Sequence, residues 1–299
     1  MSLLSITSAI STSLPHGGVG GGLLYILWDP DQIIFSLGSF AIRWYSTFWL
    51  IGLLGAYFLV RYVYKQQKVA DEKFEPLFLY SFLGILIGAR LGHCLFYEPG
   101  HFLSSWTHFI EMFVPMRQGM DGSWHFTGYE GLASHGGTLG IMLALILYCR
   151  NMKMGKLWVM DVVCLAVPIT ACCIRLGNLM NSEIIGRVTD VPWAFIFERV
   201  DQYPRHPGQL YEAIAYAMMF PVLWYFYKKR PERLGDGFFF GLTIFMIFTF
   251  RFFIEYTKEI QVAFEAGLPL DMGQILSIPF IICGAYFAFR KSPTPNPLP

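Results

Sequence analysis

Residues 158–187 read WVMDVVCLAVPITACCIRLGNLMNSEIIGR and join an apolar run to a dense polar stretch. The apolar part, 158–176, has the length that a bilayer demands of a transmembrane helix. Arg175 lies at the far end of this run, where a guanidinium is costly unless it has a partner. The stretch therefore predicts a membrane-spanning helix that ends in a polar site at the membrane boundary.

The polar residues of this stretch are spaced so that they can act together. Arg175, Asn178 and Asn181 are three residues apart, so they share one face wherever the helix continues. Glu183 and Arg187 are four residues apart, a spacing that pairs side chains on a helix. Arginine and asparagine donors in a poorly hydrated place favour an anionic ligand. We expect these residues to bind an anionic group.

The composition places the chain among membrane proteins. Hydrophobic residues make up 55%, aromatic residues 17% and charged residues only 14% of the chain, which excludes an ordinary soluble domain. The net charge of +1 gives no general attraction to nucleic acid. The six cysteines lie in apolar runs without CxxC or Cys/His spacing, so we expect no disulfide framework, no metal site and no cofactor.

Seven apolar runs of bilayer length occur along the chain. They cover residues 45–64, 77–97, 132–149, 158–176, 211–227, 236–256 and 272–289. Most lysines and arginines of the connections fall on one side, so the positive-inside rule places the N-terminus outside and the C-terminus in the cytoplasm. The sequence thus predicts an all-α polytopic membrane protein with seven transmembrane helices and a small outer-facing polar head.

Three arginines lie within the predicted spans, and each has two readings. Arg90 lies among small residues and either pairs structurally with a neighbouring helix or serves function. Arg251 and Glu255 are four apart and either neutralise each other or act on a ligand. The third arginine is Arg175, and the obvious acidic partners within the spans are fewer than these three arginines. An arginine without one implies an external anion, and the bilayer supplies lipid phosphate.

Two further residues at span ends are candidates for chemistry. Tyr45 opens the first span, where an aromatic is most often an interfacial belt residue. His135 opens the third span beside three glycines, where the usual role is interfacial packing. Those glycines would admit a lipid or a backbone next to a group that titrates near neutral pH. Both residues therefore keep a structural and a functional interpretation.

Six ordered groups of residues, from about Trp28 to Pro279, resemble the prolipoprotein diacylglyceryl transferases of bacterial inner membranes. The groups are Arg43-Trp44-Tyr45; His135-Gly136-Gly137 with Leu139-Gly140; Arg175-Leu176-Gly177-Asn178 with Asn181, Glu183, Gly186 and Arg187; the run from His206 to Glu212; Arg251 with Glu255; and Met272-Gly273-Gln274-Ile275-Leu276-Ser277 with Pro279. The family has seven spans and an outer N-terminus, in agreement with the topology read from the charges.

The resemblance implies a reaction and a set of site residues. The diacylglyceryl group of phosphatidylglycerol passes to the lipobox cysteine thiol of a prolipoprotein signal peptide, which leaves a thioether and releases glycerol phosphate. The residues implied to bind the substrate are Arg175, Arg251, Gly186, Arg187 and Asn181. The residues implied to act in catalysis are His135, Arg251, Tyr45, Asn178, Glu183 and Glu255. The implied partners are phosphatidylglycerol, prolipoproteins and membrane lipid, without nucleic acid.

Some positions depart from the family pattern. Ser46 and Ser182 stand where the family has glycine, Lys258 replaces an arginine, and the loop before His135 is longer than usual. Ile247 stands where the family often has a tyrosine, which makes a phenol at that position dispensable here. The other departures look permissive.

Several alternatives stay open from the sequence. His135 is the favoured proton acceptor for the thiol, with Glu183 and Glu255 as the other choices. The chain is alternatively a transporter or flippase for an anionic phospholipid, or a membrane scaffold whose buried charges only specify helix pairing. A lipid-transfer reaction to a peptide thiol distinguishes the first reading from the other two.

The predicted organisation has three parts. Residues 1–44 form an outer and interfacial segment without the basic start of a signal peptide. Residues 45–290 form the seven-span catalytic domain, with the outer head at 177–210. Residues 291–299, rich in proline, form a disordered cytoplasmic tail. The resemblance places the protein in the bacterial inner (cytoplasmic) membrane as a multi-pass protein.

Overall fold

The computed structural model describes most of the chain as two compact units. The described residues are 11–13, 25–37, 40–119, 122–126, 131–259 and 270–291. Unit 1 contains the described residues of 1–60 and 160–296, and unit 2 contains those of 61–159. From Ser292 onward, the predicted disordered tail lies outside the described residues. Residues 1–10, on which the signal-peptide prediction depends, also lie outside them.

Within the described residues the chain forms nine α-helices, and a long helix overlaps each of the seven apolar runs. The helices are α1 (Trp44–Gln66), α2 (Asp71–Phe96), α3 (Pro99–Phe102), α4 (Trp106–Glu111), α5 (Ser134–Asn151), α6 (Lys156–Asn181), α7 (Gly208–Lys229), α8 (Phe238–Ile254) and α9 (Met272–Phe289). The positions of the long helices were therefore predicted correctly from hydropathy.

Five of the long helices are long and apolar enough to cross a membrane: α1, α2, α6, α8 with its continuation to Thr257, and α9. Helix α5 opens with Ser-His-Gly-Gly-Thr and closes with Arg-Asn, and α7 carries Gln209, Glu212 and two terminal lysines. These polar residues lower the hydropathy of both helices. The chain is thus a mostly helical protein with five candidate membrane spans, and the count of seven spans stays a prediction.

The prediction of an all-α fold is wrong in one respect, because short strands accompany the helices. They are β1 (Ser11–Ser13), β2 (Tyr25–Trp28), β3 (Ile33–Leu37), β4 (Phe40–Arg43), β5 (Met116–Gln118), β6 (Trp124–Phe126), β7 (Phe195–Phe197) and β8 (Pro204–Arg205). A four-stranded sheet has the order β1-β2-β7-β8, and β3-β4 and β5-β6 pair separately. Strands of two to five residues are too short for alternating hydrophobicity to reveal them.

The four-stranded sheet of unit 1 packs on the end of α6. Strands β2 and β7 run parallel, and Trp28 is buried with Phe195 and Phe197 against Leu179. The Trp28 indole N–H donates to the Leu179 carbonyl over 2.9 Å. A buried aromatic of this size contributes on the order of 3 kcal/mol to stability. The sheet thereby fixes the helix end from which the polar stretch leaves.

Glycines bring helix backbones into contact within each unit. In unit 2, a Cβ on Gly136 or Gly140 of α5 would overlap the backbone of α2 at Gly88 and Gly84. The glycines beside His135 therefore pack against the backbone of a neighbouring helix. The sequence predicted that they would admit either a lipid or a backbone. In unit 1, a Cβ on Gly241 of α8 would come within 2.8 Å of a carbonyl oxygen of α9.

Asp161 determines where α8 begins. Its Oδ2 accepts hydrogen bonds from the Gly235 and Gly237 N–H groups at 2.8 and 2.9 Å. Its Oδ1 accepts from the Phe240 N–H at 2.8 Å. A buried carboxylate is thereby satisfied by the N–H groups that the first turn of a helix leaves unpaired. The interaction fastens α6 to the start of α8 inside unit 1.

Candidate active site

Helix α6 ends in a two-bond C-cap that begins the polar site. The Ser182 N–H donates to the Leu179 carbonyl at 3.1 Å, and the Glu183 N–H donates to the Asn178 carbonyl at 3.0 Å. Ser182 has a φ of 57°, in the left-handed region. These features define a Schellman motif, in which the left-handed residue is usually glycine. The motif turns the chain back so that Glu183 lies beside the last turn of the helix.

The spacing of three predicted a shared face, and the structure confirms it. The Arg175 Nη1 donates to the Asn178 Oδ1 at 3.3 Å. The amide nitrogens of Asn178 and Asn181 donate to the two oxygens of Glu183 at 3.1 and 3.0 Å. The helical relation expected between Glu183 and Arg187 is wrong, because α6 has already ended at Asn181.

Arg175 has an internal counter-ion, which is a second correction. Its Nε lies 2.5 Å from the Oε2 of Glu212, a fully buried residue in the first turns of α7. The Lys258 Nζ lies 3.0 Å from the other Glu212 oxygen and 3.5 Å from the Oε2 of Glu255. The inference that Arg175 must find its anion outside the protein is therefore wrong. Cations and carboxylates alternate along this row.

Arg251, like Arg187, has no ion pair among the described residues, whereas the other two cations of this region do. The alternative in which Arg251 and Glu255 neutralise each other is wrong, because α8 ends before Glu255 and a 3₁₀ turn follows. Glu255 pairs with Lys258 instead. Tyr216 of α7 lies near enough to interact electrostatically with both Arg175 and Arg251. The two arginines thus belong to one neighbourhood.

Two glycines allow close approach around the charged row. The Tyr45 ring lies on Gly177, where a Cβ would approach its Cδ2 to 3.0 Å. Tyr45 also interacts electrostatically with Glu183 and Arg175. A Cβ on Gly273 would come within 2.5 Å of the carboxyl carbon of Glu255. Larger residues at either position would displace the Tyr45 ring or the Glu255 carboxylate.

Gly186 and Arg187 connect three segments of the site. The Gly186 N–H donates to the His206 carbonyl and the Arg187 N–H to the Thr257 carbonyl, each at 2.9 Å. The Arg187 Nε donates to the Lys258 carbonyl at 3.1 Å. A Cβ on Gly186 would meet atoms of His206 and Thr257 at 2.6 Å, so the position excludes any side chain.

Comparison with known proteins shows the family of this chain. The sequence matches the family model described as prolipoprotein diacylglyceryl transferase over residues 32–290. The chain belongs to the prolipoprotein diacylglyceryl transferase family. A phosphatidylglycerol--prolipoprotein diacylglyceryl transferase of Bacteroides fragilis is 58% identical over 267 residues, which cover 89% of this chain and 95% of the relative. The prediction of a transferase is confirmed.

More distant relatives carry the same name. The phosphatidylglycerol--prolipoprotein diacylglyceryl transferase of Chloroherpeton thalassium is 42% identical, over 89% of this chain and 94% of its own length. That of Porphyromonas gingivalis is 38% identical, over 91% of this chain and 96% of its own length. The similarity is therefore to complete transferases, and nothing in these comparisons favours lipid transport.

Two buried residues of the transferase had no role assigned from the sequence. Gln209 and Glu212 are both fully buried, and the Gln209 amide donates to the Glu183 carbonyl at 2.5 Å. Both lie in the quoted run from His206 to Glu212. A signal was present, because Gln209 and Glu212 are three residues apart in the polar first turns of an otherwise apolar helix.

His206 packs at the edge of the site. Its Nδ1 lies 3.1 Å from the Tyr211 hydroxyl oxygen. Burial and the nearby Arg187 guanidinium lower the pKa of His206 below the usual value of a histidine. The imidazole is therefore neutral at neutral pH, which suits a packing and hydrogen-bonding role beside a row of charges.

The remaining predicted residues lie in unit 2. His135 is at the start of α5, and its side chain is exposed. Arg90 is buried, and its Nη2 donates to the Glu111 carbonyl at 2.9 Å, which supports the structural reading of this arginine. Unit 2 also corrects the expectation that no group of metal ligands exists, because His101, His108 and Glu111 lie together.

Proposed function

We propose that this transferase moves the diacylglyceryl group of phosphatidylglycerol to the lipobox cysteine of a prolipoprotein at the charged row around Arg175 and Arg251. The observation that carries the proposal is the charge arrangement. Arg175, Arg187, Arg251 and Lys258 supply one more charge than Glu183, Glu212 and Glu255. Arg187 and Arg251 have no ion pair among the described residues, so an incoming phosphate anion would complete the arrangement.

The chemistry is a displacement at a glyceryl carbon. The thiolate sulfur of the cysteine forms a bond to that carbon while the bond from carbon to phosphate oxygen breaks. The electron pair stays on the departing glycerol phosphate. Guanidinium groups placed beside the phosphate stabilise the charge that develops, and one such donor contributes about 3 kcal/mol to the transition state. Arg251 has this role, and Arg175 holds the headgroup.

The Glu212 carboxylate positions Arg175. Glu212 holds the Arg175 Nε, which leaves the outer edge of the guanidinium directed toward Asn178. Asn181, Gly186 and Arg187 complete the proposed headgroup site. Asn178 accepts a hydrogen bond from Arg175, and Tyr45 interacts with Arg175 electrostatically; both orient the reacting phosphate.

The thiol proton needs an acceptor, and the family resemblance makes His135 the favoured choice, with Glu183 and Glu255 as the alternatives. Both oxygens of Glu183 already accept hydrogen bonds from asparagine amides. Glu255 is engaged by Lys258. His135 is exposed, and within the described part of the chain it has no hydrogen-bond partner. A neutral imidazole nitrogen can accept a proton from a thiol.

The proposed setting is the bacterial inner membrane. Seven spans, an outer N-terminus and a cytoplasmic C-terminus place residues 177–210 on the outer face as the polar head. Glu183 and Arg187 then face the leaflet from which a translocated prolipoprotein presents its cysteine. A phosphatidylglycerol headgroup at the interface reaches this head without leaving the bilayer.

A transfer assay tests the proposal. Purified protein in proteoliposomes of phosphatidylglycerol is mixed with a lipobox peptide, and mass spectrometry follows the peptide cysteine. We expect a diacylglyceryl mass gain with wild type and a loss of about two orders of magnitude in rate with Arg251→Ala. The exposed Arg150→Ala variant is the matched control and retains the wild-type rate.

The outcomes separate the three functional readings. A protein that moves labelled lipid across the bilayer but leaves the peptide unmodified is a transporter. A protein that does neither is a scaffold. If Arg251→Ala inserts normally and transfers at the wild-type rate, the assignment of the phosphate to Arg251 is wrong even though the protein is a transferase.

A further inference from the structure

Three side chains that the proposed reaction does not use form a compact group in unit 2. The group, here called the His-His-Glu cluster, consists of His101, His108 and Glu111. One ligand atom from each lies within 4.8 Å of the other two. We infer that the His-His-Glu cluster binds a divalent transition-metal ion, with Zn²⁺ as the best match.

Short helices bring the three residues together. His101 lies in α3, and His108 and Glu111 lie three apart on α4, so they share its face. The Ser105 side chain caps α4 by accepting a hydrogen bond from the His108 N–H at 3.2 Å. The Arg90 guanidinium holds the Glu111 carbonyl from α2. The three ligands therefore lie on a segment of unit 2 that these hydrogen bonds hold in place.

Neighbouring polar groups orient the ligand atoms as metal sites require. The Ser104 hydroxyl donates to the His101 carbonyl at 2.7 Å. It therefore accepts at 2.8 Å from the His108 Nδ1–H. That bond fixes the tautomer in which the His108 Nε2 carries a free lone pair. Such outer hydrogen bonds to ligating histidines are typical of zinc sites.

Glu111 supplies a pre-oriented carboxylate. It is 1% exposed, and its Oε1 accepts from the Gln118 N–H at 2.9 Å. Its Oε2 faces the His101 Nε2 at 2.9 Å. Two ligands of a tetrahedral zinc ion lie about 3.4 Å apart, so entry of the ion requires only a small separation of this pair and loss of the shared proton.

The ligand set selects the class of ion. Two imidazoles and one carboxylate suit zinc and neighbouring transition metals rather than Ca²⁺ or Mg²⁺, which prefer all-oxygen sites. Three protein ligands leave the fourth position for water. Both histidines are only half-buried, so that position has access to solvent.

Metal titration of the full-length protein in detergent tests the inference. After removal of metal with a chelator, Zn²⁺ is added in competition with a chromophoric chelator. We expect one Zn²⁺ per chain, and bound Co²⁺ should give the visible absorption of a four- or five-coordinate site. The His108→Gln variant should lose this binding. Ser104→Ala should weaken it by about 10- to 100-fold, because all three ligands remain but the hydrogen bonds that join Ser104 to His108 and to the His101 carbonyl are lost.

The control is His125→Gln, which removes an exposed imidazole of the same unit outside the cluster and should leave zinc binding unchanged. Thermal unfolding with and without Zn²⁺ shows whether each variant is folded, since an ion bound only by the native state raises the transition temperature. Wild-type affinity no higher than that of His108→Gln overturns the inference. Equal affinity of wild type and Ser104→Ala, with both folded, overturns the described ligand geometry.

Discussion

Two buried carboxylates of unit 1 have similar exposure and opposite surroundings. Asp161 accepts three hydrogen bonds from backbone N–H groups at the start of α8. Glu212 contacts the side-chain cations Arg175 and Lys258. Backbone donors are neutral and fixed, so they complete the fold around Asp161 and leave nothing for a ligand. Side-chain cations carry charge that an incoming anion can share.

This difference distinguishes a charge that is buried to hold the fold together from a charge that is buried beside a possible ligand site. Each Asp161 oxygen has a partner that no other molecule can reach. The row from Arg175 through Glu212 and Lys258 to Glu255 is held together by ion pairs, and Arg251 lies beside it without one among the described residues. A buried charge network that is left with a surplus cation is costly unless a ligand uses it.

Of the two carboxylates, Glu212 is the one whose substitution should have the largest effect on the transfer rate. Glu212→Gln keeps the side-chain shape but removes the charge that holds the Arg175 Nε. We expect the transfer rate in proteoliposomes to fall about 100-fold, because small misplacements of a positioning group have effects of this size. A wild-type rate in a correctly inserted variant would show that Arg175 is positioned by other contacts.

Asp161→Asn should affect stability rather than chemistry. The amide replaces one acceptor oxygen with a donor that faces an N–H group, so unfolding free energy should fall by about 2 kcal/mol. The transfer rate per folded molecule should stay close to that of wild type. Unfolding in mixed detergent and the proteoliposome assay measure the two quantities. A large loss of rate with unchanged stability would make Asp161 part of the site.

The helical part of the fold was predictable because hydropathy acts locally. A long helix overlaps each apolar run, and the positions of Arg90 and Arg251 within α2 and α8 followed directly. The sheet that joins β2 to β7 was not predictable, because the two strands are far apart in sequence and only four and three residues long. Such pairing depends on tertiary contacts that no local pattern encodes.

The candidate site was predictable where one helix carries it. The face of Arg175, Asn178 and Asn181 followed from spacing alone. The pairing of Arg175 with Glu212 did not, because it joins two helices, and the sequence reading gave Arg175 no internal partner. The His-His-Glu cluster was missed for a related reason, since its members come together only through the turn between α3 and α4.

Arg175→Lys sharpens the comparison with a smaller change. Lysine can keep an ion pair with Glu212 but lacks the second arm that reaches Asn178. We expect about a tenfold lower transfer rate, because a bidentate grip on phosphate is lost while the charge remains. Initial rates at varied phosphatidylglycerol content, with Arg150→Lys as the control, measure the effect. An unchanged rate would mean that charge alone matters at this position.

Ser182→Gly gives the smallest expected effect and tests the helix end itself. Ser182 has a left-handed backbone, and its hydroxyl is buried without a hydrogen-bond partner among the described residues. Glycine removes both costs, so we expect about 1 kcal/mol of added stability. The sequence predicts that replacing the family glycine by Ser182 is permissive, but the structure shows a strained backbone at this position.

Ser46→Gly is the matched control, because Ser46 also replaces a family glycine but lies inside α1. There glycine should cost about 0.5 kcal/mol. Detergent unfolding of both variants decides the matter: opposite signs support the described cap, whereas destabilisation by Ser182→Gly would mean that the serine hydroxyl holds the turn.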